Sequence, residues 1–171
     1  DQNGADWSPM QIGQFLALLP FCPDAWGRAT ALLGQEEREY WTRTVANPYE
    51  CEAVMDQAVD RLVEHGRPWA AVRCLHRTLL LKQALDTERA SRTLLAAIGS
   101  SEDARSMDTH EAIAVIKALE GDSTTDPDDL FRVEWAYLPI LNEHHDAAPL
   151  FLWRRLASEP PFFCEVIRLV F

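Results

Sequence analysis

Two neighbouring histidines are the first candidates for chemistry in this 171-residue chain. His144 and His145 lie between Glu143 and Asp146, so the stretch offers nitrogen and oxygen ligands for a divalent metal. Adjacent side chains on a strand or helix point apart, however, whereas a metal site needs several ligands that converge at about 2 Å. We therefore interpret residues 143–146 as a solvated loop and expect no metal ligand among them.

Three aspartates around a proline form the second candidate. Asp126, Asp128 and Asp129 are spaced like part of a calcium-binding loop, but the glycine and the terminal glutamate of an EF-hand loop are missing. Carboxylates also favour the positive end of a helix dipole and cap its first amides. The sequence thus predicts that this stretch is a helix start and not a calcium site.

Glu134 is the third candidate, because it stands inside the most apolar run of helical length, residues 130–141. Burying a lone carboxylate is very costly. We therefore expect Glu134 to pair with Arg67, Arg154 or Arg155, or to lie at an edge that water reaches. An ion pair is favoured over a catalytic acid, because the sequence places no second carboxylate or nucleophile beside it.

Known catalytic motifs are missing from the sequence: it contains no GxSxG, HExxH, Walker or GxGxxG pattern. We accordingly predict no catalytic residue, no metal ligand and no cofactor within these residues. Cys22, Cys51, Cys74 and Cys164 lie far apart without a CxxC pair. Such spacing is typical of buried thiols in a reduced compartment, although one disulfide pair stays open as an alternative.

Composition sets the class of protein. A hydrophobic content of 47% with 25% charged residues is ordinary for one globular domain of this length. The formal net charge of -11 disfavours non-specific attraction to nucleic acid or to an anionic membrane. The sequence has neither a signal-peptide pattern nor an apolar run of about 18 residues, so we predict a cytoplasmic protein.

Prolines and glycines divide the chain into helices. Proline is favoured at the first helical position, where its missing N–H would have had no partner, and glycine commonly follows the last. No segment alternates apolar and polar residues between turn signals as a strand would. We predict an all-α domain spanning residues 1–171, with about nine helices in antiparallel pairs. The predicted starts are Pro9, Pro23, Pro48, Pro68, Pro127, Pro149 and the Pro160–Pro161 pair.

The apolar run at residues 130–141 is predicted to be the central helix, because a helix that is apolar nearly all round belongs inside an assembly. Pro139 should kink this helix or end it. We expect at least two of Trp135, Tyr137 and Leu138 to be buried.

Two architectures fit such a chain: an α-solenoid of stacked helix pairs, or a closed irregular bundle. No strict repeat of TPR or HEAT length is visible. The chain begins at Asp1 without an initiator Met and ends in mid-pattern on CEVIRLVF. We therefore expect a piece of a longer protein, which slightly favours the solenoid.

Charge is uneven along the chain. Residues 61–92 hold seven basic and three acidic residues, whereas residues 99–129 hold nine acidic and two basic residues. These segments are interpreted as two solvated faces that partly complement each other, and a basic groove for an acidic partner remains the alternative.

Four short motifs stand out along the chain: Tyr40-Trp41, Gly66-Arg67-Pro68 with Ala70-Ala71, the stretch from Glu134 to Pro139, and Pro160 with Phe162-Phe163. Together they resemble helical-repeat regions of large bacterial proteins of unknown function. The resemblance implies paired helices and an interaction or scaffold role, and it carries no catalytic residues. We predict a non-catalytic helical scaffold that binds a protein partner or the remainder of its own chain. The alternative is an accessory or sensor domain of a multidomain enzyme, such as an ATPase, whose catalytic part lies outside these residues.

Overall fold

The computed structural model describes residues 7–50, 52–102, 108–142 and 146–170, and these ranges contain α-helices and no strand. The prediction of an all-α fold is confirmed, with ten α-helices in the described ranges. They are α1 (Pro9–Leu16), α2 (Pro23–Leu33), α3 (Arg38–Trp41), α4 (Asp56–Glu64), α5 (Pro68–Leu80), α6 (Thr87–Ile98), α7 (Asp108–Gly121), α8 (Pro127–Tyr137), α9 (Leu150–Ser158) and α10 (Pro160–Val170).

Most helices begin where the local signals predict. Proline occupies the first turn of α1, α2, α5 and α8, and α10 begins at Pro160. At α1, the Ser8 side chain accepts the N–H of Gln11 while the Gln11 side chain accepts the N–H of Ser8. This reciprocal capping box satisfies two amides that have no partner within the helix.

The helix start predicted at Pro48 is wrong, because α4 begins eight residues later at Asp56. The side chain of Asn47 accepts the N–H of Tyr49 and so forms a local turn instead of a helix cap. The carboxylate of Glu50 accepts the N–H of Phe21, in the connection before α2, and is therefore not available to cap its own segment.

The first three helices enclose an aromatic cluster. A short 3-10 turn, Gly34–Glu36, precedes the four-residue α3, so residues 35–45 do not form one continuous helix. Both aromatic residues of α3, Tyr40 and Trp41, are fully buried. Their rings lie 5.0 Å apart at the centroids, and Trp41 lies 6.3 Å from both Phe21 and Trp26.

The centre of the domain is α5 and not residues 130–141. Helix α5 packs against α4, α6 and α7, and most of its side chains are buried. Of the three residues expected inside α8, only Tyr137 is buried, whereas Trp135 is 39% exposed and Leu138 is half-buried. The expectation that two of the three are buried is therefore wrong. Helix α8 ends at Tyr137, two residues before Pro139.

The helices pack mainly against helices one or two positions away along the chain. Helix α6 contacts α8, α1 contacts α2 and α3, and the last helices follow in series, α8 on α9 and α9 on α10. As a result, α9 and α10 lie at the edge of the fold. Across the described part of the chain, no helix combines the length and apolar character that crossing a membrane requires.

Candidate functional site

Glu134 lies at the junction of α7, α8 and α9, where it is fully buried. Its carboxylate accepts the backbone N–H of Phe151 at 2.9 Å and that of Leu152 at 2.6 Å, both in the first turn of α9. Pro149 precedes this helix and has no side-chain acceptor for these amides. The carboxylate of Glu134 therefore caps α9 from another helix, where the positive end of the helix dipole also stabilises its charge.

A second carboxyl group, that of Glu120, lies beside Glu134. Glu120 is at the end of α7, and burial together with the hydrogen bond and charge of Glu134 raises its pKa to about 7. The backbone N–H of Leu150 and the charge of Lys117 oppose this rise but do not cancel it. Near neutral pH Glu120 is therefore protonated about half of the time, because a carboxylate is costly to ionise in contact with another one.

Two clefts reach the carboxyl pair from solvent. The larger, about 440 Å³, is lined by Lys117, Glu120, Leu150 and the connection before α9. The smaller, about 160 Å³, also reaches Glu120 and is bordered by Arg154. Water and protons can therefore reach the carboxyl pair on the side of Glu120. Glu134 lies behind Glu120 and is closed off from solvent.

The α9–α10 pair exposes several large apolar side chains. Trp153 is 56% exposed, Phe163 48% and Ile167 40%, and Leu150 at the start of α9 is also exposed. Phe163 and Ile167 are one turn apart and so share a face of α10. We call Leu150, Trp153, Phe163 and Ile167 the hairpin surface. Leu152 is the one fully buried side chain of α9.

Arg155 attaches this hairpin to α8. Its guanidinium lies 5.1 Å from the ring centre of Phe131 on α8 and 4.8 Å from that of Phe162 on α10. It also pairs with Asp128 at 3.7 Å and with Glu159 at 3.3 Å. Arg155 thus joins three helices by cation–π contacts and ion pairs, and it does not pair with Glu134 as the sequence suggested.

The other sequence candidates have structural roles where they are described. The side chain of Asp126 accepts the N–H groups of Asp128 and Asp129, so these residues form the predicted helix cap. His144, His145 and Glu143 lie outside the described residues, as does Cys51. Within the described ranges, no group of three or more His, Cys, Asp or Glu side chains is arranged to hold a metal ion.

The basic segment at residues 61–92 is largely neutralised by internal partners. Arg73 pairs with buried Asp108 at 3.1 Å, and Arg67 lies 3.8 Å from Glu102, so both contacts join the basic segment to the acidic one. Arg89 contacts three aspartates, Asp56, Asp60 and Asp86. The interpretation of two complementary charged faces fits these contacts, and they leave little of a basic groove.

The prediction that Glu134 pairs with arginine or reaches water is wrong, and sequence reasoning also missed Glu120. Two signals pointed towards this pair. A glutamate in the last turn of a helix faces the negative end of the dipole, so Glu120 stands where a carboxylate is disfavoured. In addition, a helix that begins after Pro149 needs an acceptor from elsewhere in the chain.

Comparison with known proteins gives no match: no protein-family model, no curated protein and no solved structure matches this chain.

Proposed function

We propose that this chain is a non-catalytic helical scaffold that binds a protein partner through the hairpin surface. The observation that carries the proposal is that Trp153, Phe163 and Ile167 remain exposed at the edge of the fold, whereas most of the apolar side chains of α5 are buried. Aromatic and aliphatic side chains of this kind supply the anchors of protein interfaces. The serial packing of the helices supports a solenoid-like array, which presents its last helices to a partner.

Charge identifies the kind of partner. Arg154 and Arg168 are exposed on the hairpin, and neither forms an ion pair within the described residues. The rest of this acidic protein would repel an acidic partner. The two arginines give the hairpin a local positive charge, which favours binding of an acidic partner there. The proposed partner is an amphipathic helix whose apolar stripe is flanked by acidic residues, which docks by its apolar face.

Two further features support this assignment. Arg73 and Arg89 of the basic segment are held by internal aspartates, which favours a protein partner over nucleic acid. Cys22 and Cys164 are free thiols, in keeping with a cytoplasmic location.

A designed peptide tests the proposal. The probe is a fluorescein-labelled amphipathic helix of three heptads with a leucine stripe flanked by glutamates, compared with the same peptide carrying lysines instead. Fluorescence anisotropy should show saturable binding of the glutamate peptide, and Phe163→Glu should weaken it by about tenfold or more. Leu80→Glu is the matched control, because Leu80 is 52% exposed on α5, away from the hairpin.

Three results would refute the proposal. One is no binding of either peptide, and another is equal weakening by Phe163→Glu and Leu80→Glu. The third is self-association of the protein in sedimentation that Phe163→Glu abolishes, since the surface would then be occupied by a second copy.

A further inference from the structure

The carboxyl pair connects the start of α9 to both α7 and α8. Glu134 on α8 binds two amides of α9, and Glu120 on α7 reaches the pair and the N–H of Leu150. Neither carboxyl group forms an ion pair within the described residues. One atom of Glu120, Oε1, is buried there without a donor. Protonation of Glu120 gives its carboxyl group an O–H that can donate to the carboxylate of Glu134.

We propose that Glu120 and Glu134 form a pH-sensitive attachment that holds the start of α9, and with it the α9–α10 hairpin, against α7 and α8. When Glu120 is protonated, its O–H donates to the carboxylate of Glu134, which in turn accepts the two amides of α9. When Glu120 loses this proton, two carboxylates face each other in a partly buried site, and their repulsion loosens the start of α9. This property belongs to the attachment and holds whatever the hairpin surface binds.

Within the described residues, the charged groups around the carboxyl pair do not neutralise it by an ion pair, so the proton is exchanged at Glu120. On α7, the ammonium of Lys117 lies 3.6 Å from the carboxylate of Asp146 and also donates to the backbone carbonyl of Asp146, so it is engaged elsewhere. On α9, Arg154 borders the smaller cleft and is exposed. Asp122, which follows α7, borders the same cleft, and its carboxylate accepts a hydrogen bond from the N–H of Thr124. None of these groups forms an ion pair with either glutamate in the described structure.

The sign of the effect follows from proton linkage. Burial and contact with Glu134 raise the pKa of Glu120 from 4.5 to about 7, so the attached state binds the proton more tightly than the detached state. The stabilisation is therefore complete below the ordinary pKa and is lost as the pH rises through about 7. With these two values, the detached fraction should rise by up to about tenfold between pH 6 and pH 8.

Nuclear magnetic resonance on the whole chain tests the inference without a ligand. The side-chain carboxyl carbon of Glu120 gives its titration midpoint directly. Amide exchange at Phe151 and Leu152, expressed as protection relative to the intrinsic rate at each pH, reports the attachment. Glu120→Gln keeps an N–H that donates to Glu134 but does not titrate, and Glu36→Gln is the control because Glu36 is exposed on the 3-10 turn.

The expected result is a Glu120 midpoint near 7, with a loss of protection at Phe151 and Leu152 between pH 6 and pH 8. This loss should approach tenfold in the wild-type protein and in Glu36→Gln, and should be absent in Glu120→Gln. A Glu120 midpoint below about 5, as in an unperturbed glutamate, would overturn the inference. An equal loss of protection in Glu120→Gln would do the same, since another group would then control the attachment.

Discussion

The contact between α1 and α3 leads to a prediction in which one chemical change has opposite effects at two sites. Gly13 is buried in α1, and a Cβ atom added there would lie 2.6 Å from the carbonyl carbon of Glu39 and 2.7 Å from its oxygen and Cβ. These are mainly backbone atoms of α3, so they cannot move aside as a flexible side chain would. Gly27 lies within α2, and a Cβ atom there would meet nothing within 4 Å.

The magnitudes follow from two competing effects. Alanine is favoured over glycine inside a helix by about 1 kcal/mol, and this gain applies at both positions. At Gly13 the added methyl group also forces α1 away from α3, and overpacking of this kind costs about 1–3 kcal/mol. Gly13→Ala should therefore be destabilising by up to about 2 kcal/mol, whereas Gly27→Ala should be stabilising by about 0.5–1 kcal/mol.

Urea denaturation followed by tryptophan fluorescence and by circular dichroism measures both changes. The two probes should give coincident transitions, which would justify a single free energy of unfolding. If Gly13→Ala stabilises the protein as much as Gly27→Ala does, then α1 does not approach α3 as closely as described, and the packing of the first three helices is refuted.

Three other substitutions test particular contacts. Tyr137→Phe should lower the free energy of unfolding in urea by about 0.5–1.5 kcal/mol, because the buried hydroxyl donates to the carbonyl oxygen of Leu94 at 2.9 Å. Glu102→Ala should cost about 1–2 kcal/mol in the same assay, since its carboxylate accepts the first amides of α5, whereas Glu36→Ala at an exposed site should change stability by less than about 0.5 kcal/mol. Burial lowers the pKa of His76, so stability should fall as the pH drops below about 6.5, and His76→Gln should reduce this loss in thermal melts at a series of pH values.

The helix starts that the sequence predicts are those whose signals are local. Ser8 and Gln11 form a capping box within four residues, and Asp126 caps α8 within three. In such cases the donor and acceptor are neighbours in the chain, so spacing alone is sufficient to identify them. The fold class follows in the same way from proline positions and from the lack of strand patterns.

The failures arise where a side chain bonds across the fold. Asn47, Pro48 and Glu50 have the composition of a helix start, yet Glu50 binds the amide of Phe21, which is 29 residues away along the chain. For Glu134 the sequence predicts an arginine partner or an edge that water reaches, because a lone buried carboxylate is very costly. Its actual partners, Glu120 and the start of α9, become neighbours only when three helices pack together. Local sequence patterns and residue spacing do not indicate such long-range contacts.

Glutamates that cap helices from a distance also connect helix formation to packing. The residues before α5 and α9, Arg67 and Pro149, have no side-chain acceptor for the first amides of those helices. Glu102 supplies the acceptor for α5 and Glu134 the one for α9, so each helix start becomes satisfied only when its neighbour is in place. An unsatisfied buried amide costs about 1–3 kcal/mol. Each of these helix starts is therefore stable only together with the contact that caps it. At the start of α9, the protonation of a single group, Glu120, can shift the equilibrium between the capped and the uncapped state near neutral pH.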